Sequence, residues 1–437
     1  MIGRGLSLGL GATAALAIGA GVASPASAQE RFSVDAALSG GIANNPFLQG
    51  GDTSTTASAT LTVSPSYSID QGLTQFAIAG NATVTEYLSR YPNSDSFSVS
   101  GMGAHQLSER TSLNARLNYV NSVVGAFNDT GVIGSGLIIP GVTPVFPTAT
   151  ADPNTVLTPA VTPITTGIIS NLATDPSLGG IGRRRQNYSA GAGISMGLGP
   201  RDRIGLDTSI SANRTASGAL DDFNSVSQQV NYSRAIRQGF DVTAGVVVSH
   251  VDYLRRRQFD ATTIQPTVGT TYLIAQNTSL SLSVGVSIVK TDLATIGDTR
   301  TSTSLSAQGS LCRQSGRVNG CLSLSRTAVP SSIGGVRIQT AASLSGGMRI
   351  SERSSASASV SYSRSGAPLI DVATTPVLFS GDTEYLSANG SYNRRLSQRV
   401  SAFVSAGVSK VYGDQSFGRD PSYEARGGVR VRFGALR

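Results

Sequence analysis

Groups suited to catalysis are few in this chain of 437 residues. It has two histidines, His105 and His250, far apart and without a companion motif. Ser249 precedes His250, but adjacent residues of a regular strand point to opposite faces, so the two do not make a nucleophile and base pair there. Asp221 with Asp222, and Asp292 with Asp298, come nearest to a calcium loop, and they supply too few oxygens to hold the ion. No phosphate-binding glycine loop, dinucleotide fingerprint or zinc spacing occurs. The sequence therefore assigns no catalytic residue, no metal and no cofactor, and it does not read as an enzyme.

Cys312 and Cys321 flank a polar break. With a turn centred between Gly316 and Arg317 they lie directly opposite each other, as do Leu311 and Leu322. Both leucines then share one face and both cysteines the other. This register predicts a cross-strand disulfide in an oxidising compartment. The basic residues are also unusual: of 34, only Lys290 and Lys410 are lysine, leaving 34 − 2 = 32 arginines. Arginine is the planar, always-charged side chain suited to fixed contacts with carboxylate, phosphate or sulfate, although a GC-rich coding bias would give the same excess.

The elements that would position these residues follow from the rest of the chain. Arg4, the uncharged small-residue run Leu6 to Val22 and the Ala26-Ser27-Ala28 site before Gln29 read as an export signal over 1–28, leaving 437 − 28 = 409 residues for 29–437. Without it the formal charge falls from +8 to +7. Charged residues are only 14% and glycines number 50, and beyond the signal no run resembles a membrane-spanning helix. An exported chain also makes nucleic acid an unsuitable partner for the basic charge.

The repeating unit is clearest at Tyr272 to Ile288. A strand end, the break Ala275-Gln276-Asn277-Thr278, and then Leu280, Leu282, Val284, Val286 and Ile288 alternate with serine and glycine. That is the period of a strand with one aliphatic and one polar face. Eighteen such segments can be read between Phe32 and Phe433, with the alternation slipping near Gly101 as a bulge would make it do. Connections after even-numbered segments are tight and polar; those after odd-numbered ones are mostly longer, the longest being 125–185. Short and long connections in alternation, an even strand count and segments long enough to cross hydrocarbon describe one all-β unit over 29–437. It is a transmembrane, antiparallel, up-and-down β-barrel with short periplasmic turns and longer extracellular loops.

A repeated hairpin, period-two patterning and a last strand ending in Val429, Val431 and Phe433 resemble the porin-like Gram-negative outer-membrane β-barrels. The chain departs from that class by adding Gly434-Ala435-Leu436-Arg437 after the final aromatic. The resemblance implies residence in the cell outer membrane, contact with its lipid, and insertion by the barrel assembly machinery. It also implies that 125–185, the third outward loop, folds into the lumen as a constriction; a surface lid is the alternative.

If the aliphatic set faces lipid, Ser58, Thr60, Thr62, Ser281, Ser283 and Ser287 face the lumen. By the same parity Arg116, Arg300, Arg337, Arg349, Arg395, Arg426, Arg430 and Arg432 face inward, against Asp35, Asp207 and Glu424. Such a lining would concentrate anions in an aqueous channel. Arg426, Arg430 and Arg432 have a second reading, as partners of Asp35 or Glu424 that hold first and last strands together. The function expected is a channel for small hydrophilic, preferentially anionic solutes. The alternatives are an exit duct for an acidic exopolysaccharide, or a closed structural or adhesive barrel.

Overall fold

The computed structural model describes residues 29–123, 182–216, 222–255, 259–293, 298–332, 334–369, 381–413 and 420–434. The export signal over 1–28, and 125–185 apart from its last four residues, lie outside these.

The described chain is built of strands: β1 Gln29–Asn44, β2 Thr55–Asp70, β3 Thr74–Tyr87, β4 Ser94–Ser108, β5 Thr111–Val123, β6 Arg184–Gly197, β7 Asp202–Thr215, β8 Phe223–Arg237, β9 Phe240–Tyr253, β10 Ala261–Ala275, β11 Thr278–Leu293, β12 Asp298–Gln314, β13 Val318–Pro330, β14 Val336–Ser351, β15 Ser354–Pro368, β16 Thr383–Arg395, β17 Val400–Gly413 and β18 Ser422–Gly434. Each pairs antiparallel with the next. β18 returns to β1 from Ser33 opposite Gly434 up to Asn44 opposite Tyr423, so the sheet closes into an 18-stranded barrel. Closure leaves no edge strand, the condition for a sheet to sit in hydrocarbon, although above Ala307 and Arg326 the ladder between β12 and β13 ends before the strands do.

Alternation decides which side each residue takes. In β11, Leu282, Val284 and Val286 are 47%, 59% and 38% exposed on the outside, while Ser287 between them and the top of the strand is fully buried on the inside. Two prolines sit in mid-strand without breaking the wall. The ladder to β3 skips from Val63 to Ser66 around Pro65, and that to β11 skips from Ile264 to Thr267 around Pro266. Pro65 meets Gly80 and Pro266 meets Gly285, where an added Cβ would lie 3.3 Å and 2.1 Å from proline atoms, so glycine is what lets the strands close up.

The expected bulge near Gly101 is not there. β3 pairs with β4 in unbroken register from Thr74–His105 to Thr85–Ser94, and the irregularity of β4 falls lower, between Gln106 and Ser108. Gly101 and Gly103 occupy outward positions and Met102 an inward one, so the apparent slip is a change of side-chain type and not of phase.

Tight turns join β2–β3, β4–β5, β6–β7, β8–β9, β10–β11, β12–β13, β14–β15 and β16–β17, all at the end that holds the start of β1. At the other end three buried apolar clusters gather: Ala43, Phe47, Tyr87 and Tyr91; Phe223, Val251, Tyr253 and Phe259; and Ala261, Val289 and Val336.

Candidate functional site

The inner wall follows from strand register. Arg116 of β5 lies on the row opposite the outward Leu117, and its guanidinium crosses β6 to Asp207 of β7, 2.6 Å away. It can do so because β6 presents Gly191 and Gly193 beneath it: a Cβ at Gly191 would sit 2.9 Å from Arg116 Nε, and one at Gly193 2.9 Å from Asp207 Oδ2. The side chain therefore lies flat on the wall.

Arg432 of β18 donates from Nε and Nη2 to the two carboxylate oxygens of Asp35 on β1, both at 2.8 Å, a fork across the closing seam. Arg426 pairs with Glu424, two residues back on its own strand and nearly fully buried. Arg430 lies over the inward ring of Phe403 on β17, 5.6 Å from its centroid. Glycines again make the room, since a Cβ at Gly428 would meet the Phe403 ring at 2.9 Å and one at Gly41 would meet Arg426 Cβ at 2.8 Å. Of the two readings of this terminal group, Arg432 fits the seam, Arg426 is paired within its strand, and Arg430 has an aromatic partner.

The other lining arginines stand at the two ends of the barrel. Arg337, at the top of β14, is fully buried and its Nη1 donates to the Gly366 carbonyl at 3.1 Å. Arg300 is at the top of β12 and exposed. At the turn end, Arg395 donates to the Glu352 carbonyl at 2.9 Å, and exposed Arg349 forms no ion pair among the described residues. Register adds three inward arginines that sequence reading passed over: Arg31, Arg185 and Arg203, together with the acid Asp241 beside Arg203. Each of the three stands one residue before the first segment position read from the pattern, where no aliphatic neighbour yet marks the phase. Arg185 is buried and donates from Nε to Asn213 Oδ1 at 2.8 Å.

The wall is unevenly covered. Toward the long-loop end many inward residues are buried, among them Thr60, Thr85, Asn213, Val289, Ser365, Tyr385 and Val411, though Arg300 is exposed; toward the turn end Arg31, Arg203, Arg349 and Arg395 are exposed.

The middle of the outer wall is an apolar band that carries Leu38, Leu61, Leu117, Ile210, Val268, Leu305, Leu324, Leu344 and Val404, all about half exposed. Outward aromatics concentrate at two heights. Phe32, Tyr67, Phe76, Tyr232, Phe240, Tyr272, Tyr392 and Phe433 sit near the turn end, and Phe97, Tyr119, Tyr188, Tyr362, Tyr412 and Tyr423 toward the loops. Phe97, Tyr119 and Tyr188 form a row on β4–β6 with ring centroids 5.9 Å and 4.8 Å apart. An apolar band between two aromatic girdles is the surface a bilayer requires.

The chain is a transmembrane β-barrel of the outer-membrane kind.

No protein-family model matches it, and no curated protein matches it. Among solved structures it is similar to OccK2 (OpdF) of Pseudomonas aeruginosa, at a TM-score of 0.42 and 8% identity over 93% of this chain and 98% of that one. It is similar to OccAB4 of Acinetobacter baumannii to the same degree, with TM-score 0.42, 8% identity and the same coverage of 93% and 98%. For the outer membrane protein OprD of Pseudomonas aeruginosa the figures are 0.41 and 9%, covering 93% and 94%. At such scores and identities the likeness adds nothing to what the register establishes about the barrel.

The remaining chemical residues fall on the wall or its rims. Ser249 faces inward and His250 outward, where its Nδ1 is 2.9 Å from Thr262 Oγ1 and its Nε2 3.0 Å from Asp252. His105, also outward, is 2.7 Å from Thr74 Oγ1. Asp222 accepts the Thr215 amide at 2.7 Å, which occupies it in shaping the loop end. Cys312 and Cys321 are register partners joined by a disulfide on the inner side, with Leu311 and Leu322 outside.

Proposed function

We propose that the barrel is a channel for small hydrophilic solutes with a preference for anions. The observation that carries this reading is the exposed inward arginine set at the turn end. Arg31, Arg203, Arg349 and Arg395 face the lumen there, against Asp241 and against Asp70, whose carboxylate caps the Gly72 amide at 3.0 Å. A one-sided charge on a low-dielectric wall raises the local concentration of the opposite ion. The pairing of Arg116, Arg426 and Arg432 with acids removes much of their pull on solutes. Selectivity is therefore assigned to the periplasmic opening.

A closed structural barrel is the second reading, favoured by the burial of the inner wall toward the loops. Liposome swelling separates the two. A channel admits a neutral sugar and admits an anionic sugar acid of similar size faster; a closed barrel admits neither.

A further inference from the structure

We propose that Tyr253 pins the tip of the β13–β14 hairpin inward across the extracellular mouth, so that this one hydroxyl sets the bore on that side. The consequence for solutes rests on the channel reading above; the pin itself does not. Strand order places β10, β11 and β12 between β9 and β13, so a loop that simply continued its own strands would not reach β9. Yet the Tyr253 hydroxyl, at the top of β9, is 2.7 Å from the Gly335 carbonyl, to which it donates, and 3.2 Å from that of Ser331.

Each side of the contact is prepared for it. Tyr253 is 1% exposed and its ring is held between Phe223 and Phe259, with centroids 5.6 Å and 6.2 Å away. Its amide donates to Asp260 Oδ1 at 2.7 Å. On the other side Gly334 and Gly335 adopt φ of 105° and 75°, which a side chain would resist, and this lets the tip reverse tightly. The Gly334 amide donates to the Ser331 carbonyl at 3.1 Å, and the Ser331 amide to the Gly335 carbonyl at 3.0 Å. Behind the tip, Val336 packs on Val289 of β11 and Ala261 of β10, whose side chains register on the inner face. The tip thus lies across the inside of the wall. Phenylalanine at 253 would keep the ring packing and remove the hydroxyl that bonds the Gly335 and Ser331 carbonyls.

The test uses full-length barrel in outer membranes. Ser332 is fully buried at the tip, and the two native cysteines are bonded to each other and silent toward maleimide. In a Ser332→Cys background, Tyr253→Phe is expected to raise the maleimide labelling rate about 5- to 10-fold, the effect of losing a net hydrogen bond or two from the closed state. A heat-modifiability gel verifies that the barrel is intact. Equal labelling rates with and without Tyr253→Phe overturn the pin. For the bore, Tyr253→Phe and a variant with 331–335 replaced by a tight Asn-Gly turn should both admit larger neutral polymers in planar bilayers. An unchanged size limit in the shortened variant overturns the bore claim even if labelling supports the pin. No conductance in any variant would remove the channel reading and the bore claim with it, while labelling still decides the pin.

Discussion

Arg116 and Asp207 are joined across an intervening strand, 2.6 Å apart, over the bare backbone of Gly191 and Gly193. A side chain on either glycine has to displace one partner. Gly191→Val is therefore expected to lift Arg116 off the wall and leave it unpaired in the lumen, moving the zero-current potential further toward anion preference. Arg116→Ala leaves Asp207 alone and should move it the other way. Shifts of the same sign in both variants would contradict the cradle.

The seam prediction concerns Arg432 and Asp35. Their side chains are 37% and 25% exposed, so the two-pronged contact is screened by solvent and is worth about 1 kcal/mol of coupling. A double-mutant cycle of Asp35→Ala and Arg432→Ala on reversible urea unfolding in detergent should return that value. Additive effects of the two substitutions would mean that the seam is held by backbone pairing alone.

Strands were legible in the sequence because serine and glycine alternate with aliphatics so regularly that phase could be read at Leu280 to Ile288 and carried around the wall. The same phase assigns a side of the wall to the eight arginines and the two cysteines. Three kinds of information were not in the period. Arg31, Arg185 and Arg203 precede the first aliphatic of their strands, so nothing fixed their side. Gly101 and Gly103, outward but without side chains, imitated a change of phase. The reach of Arg116 over two glycines, and of Tyr253 to a loop four strands away, depends on curvature in space, which periodicity does not encode.

The Cys312–Cys321 bond spans a sequence separation of 9. Loop entropy for so short a span gives at most about 2 to 3 kcal/mol, and the β12–β13 ladder already constrains the same residues. Reduction, or Cys312→Ser with Cys321→Ser, is expected to lower the unfolding midpoint modestly while leaving the heat-modifiable band and the conductance unchanged. Loss of the folded band would show that the bond is needed for assembly.

The β1–β2 loop should loosen in acid. Burial alone pushes the Asp52 carboxyl up, but hydrogen bonds from the Ser54 hydroxyl and amide, with the nearby charge of Arg90, more than offset it and hold the pKa below the usual value. A carboxyl lowered on folding contributes stability above its unfolded pKa of about 4 and loses that contribution as pH falls through the folded value. Proteolysis of this loop should therefore accelerate below about pH 4. In Asp52→Asn the acceleration should be absent, and an unchanged pH profile in that variant would assign the opening to another group.

The zero-current potential of the purified barrel across a potassium chloride gradient bears most directly on the assigned function. The wild type is expected to conduct with anion preference, and Arg349→Ala combined with Arg395→Ala to lose most of that preference while remaining open. Absence of a channel, or cation preference untouched by the two substitutions, would contradict it.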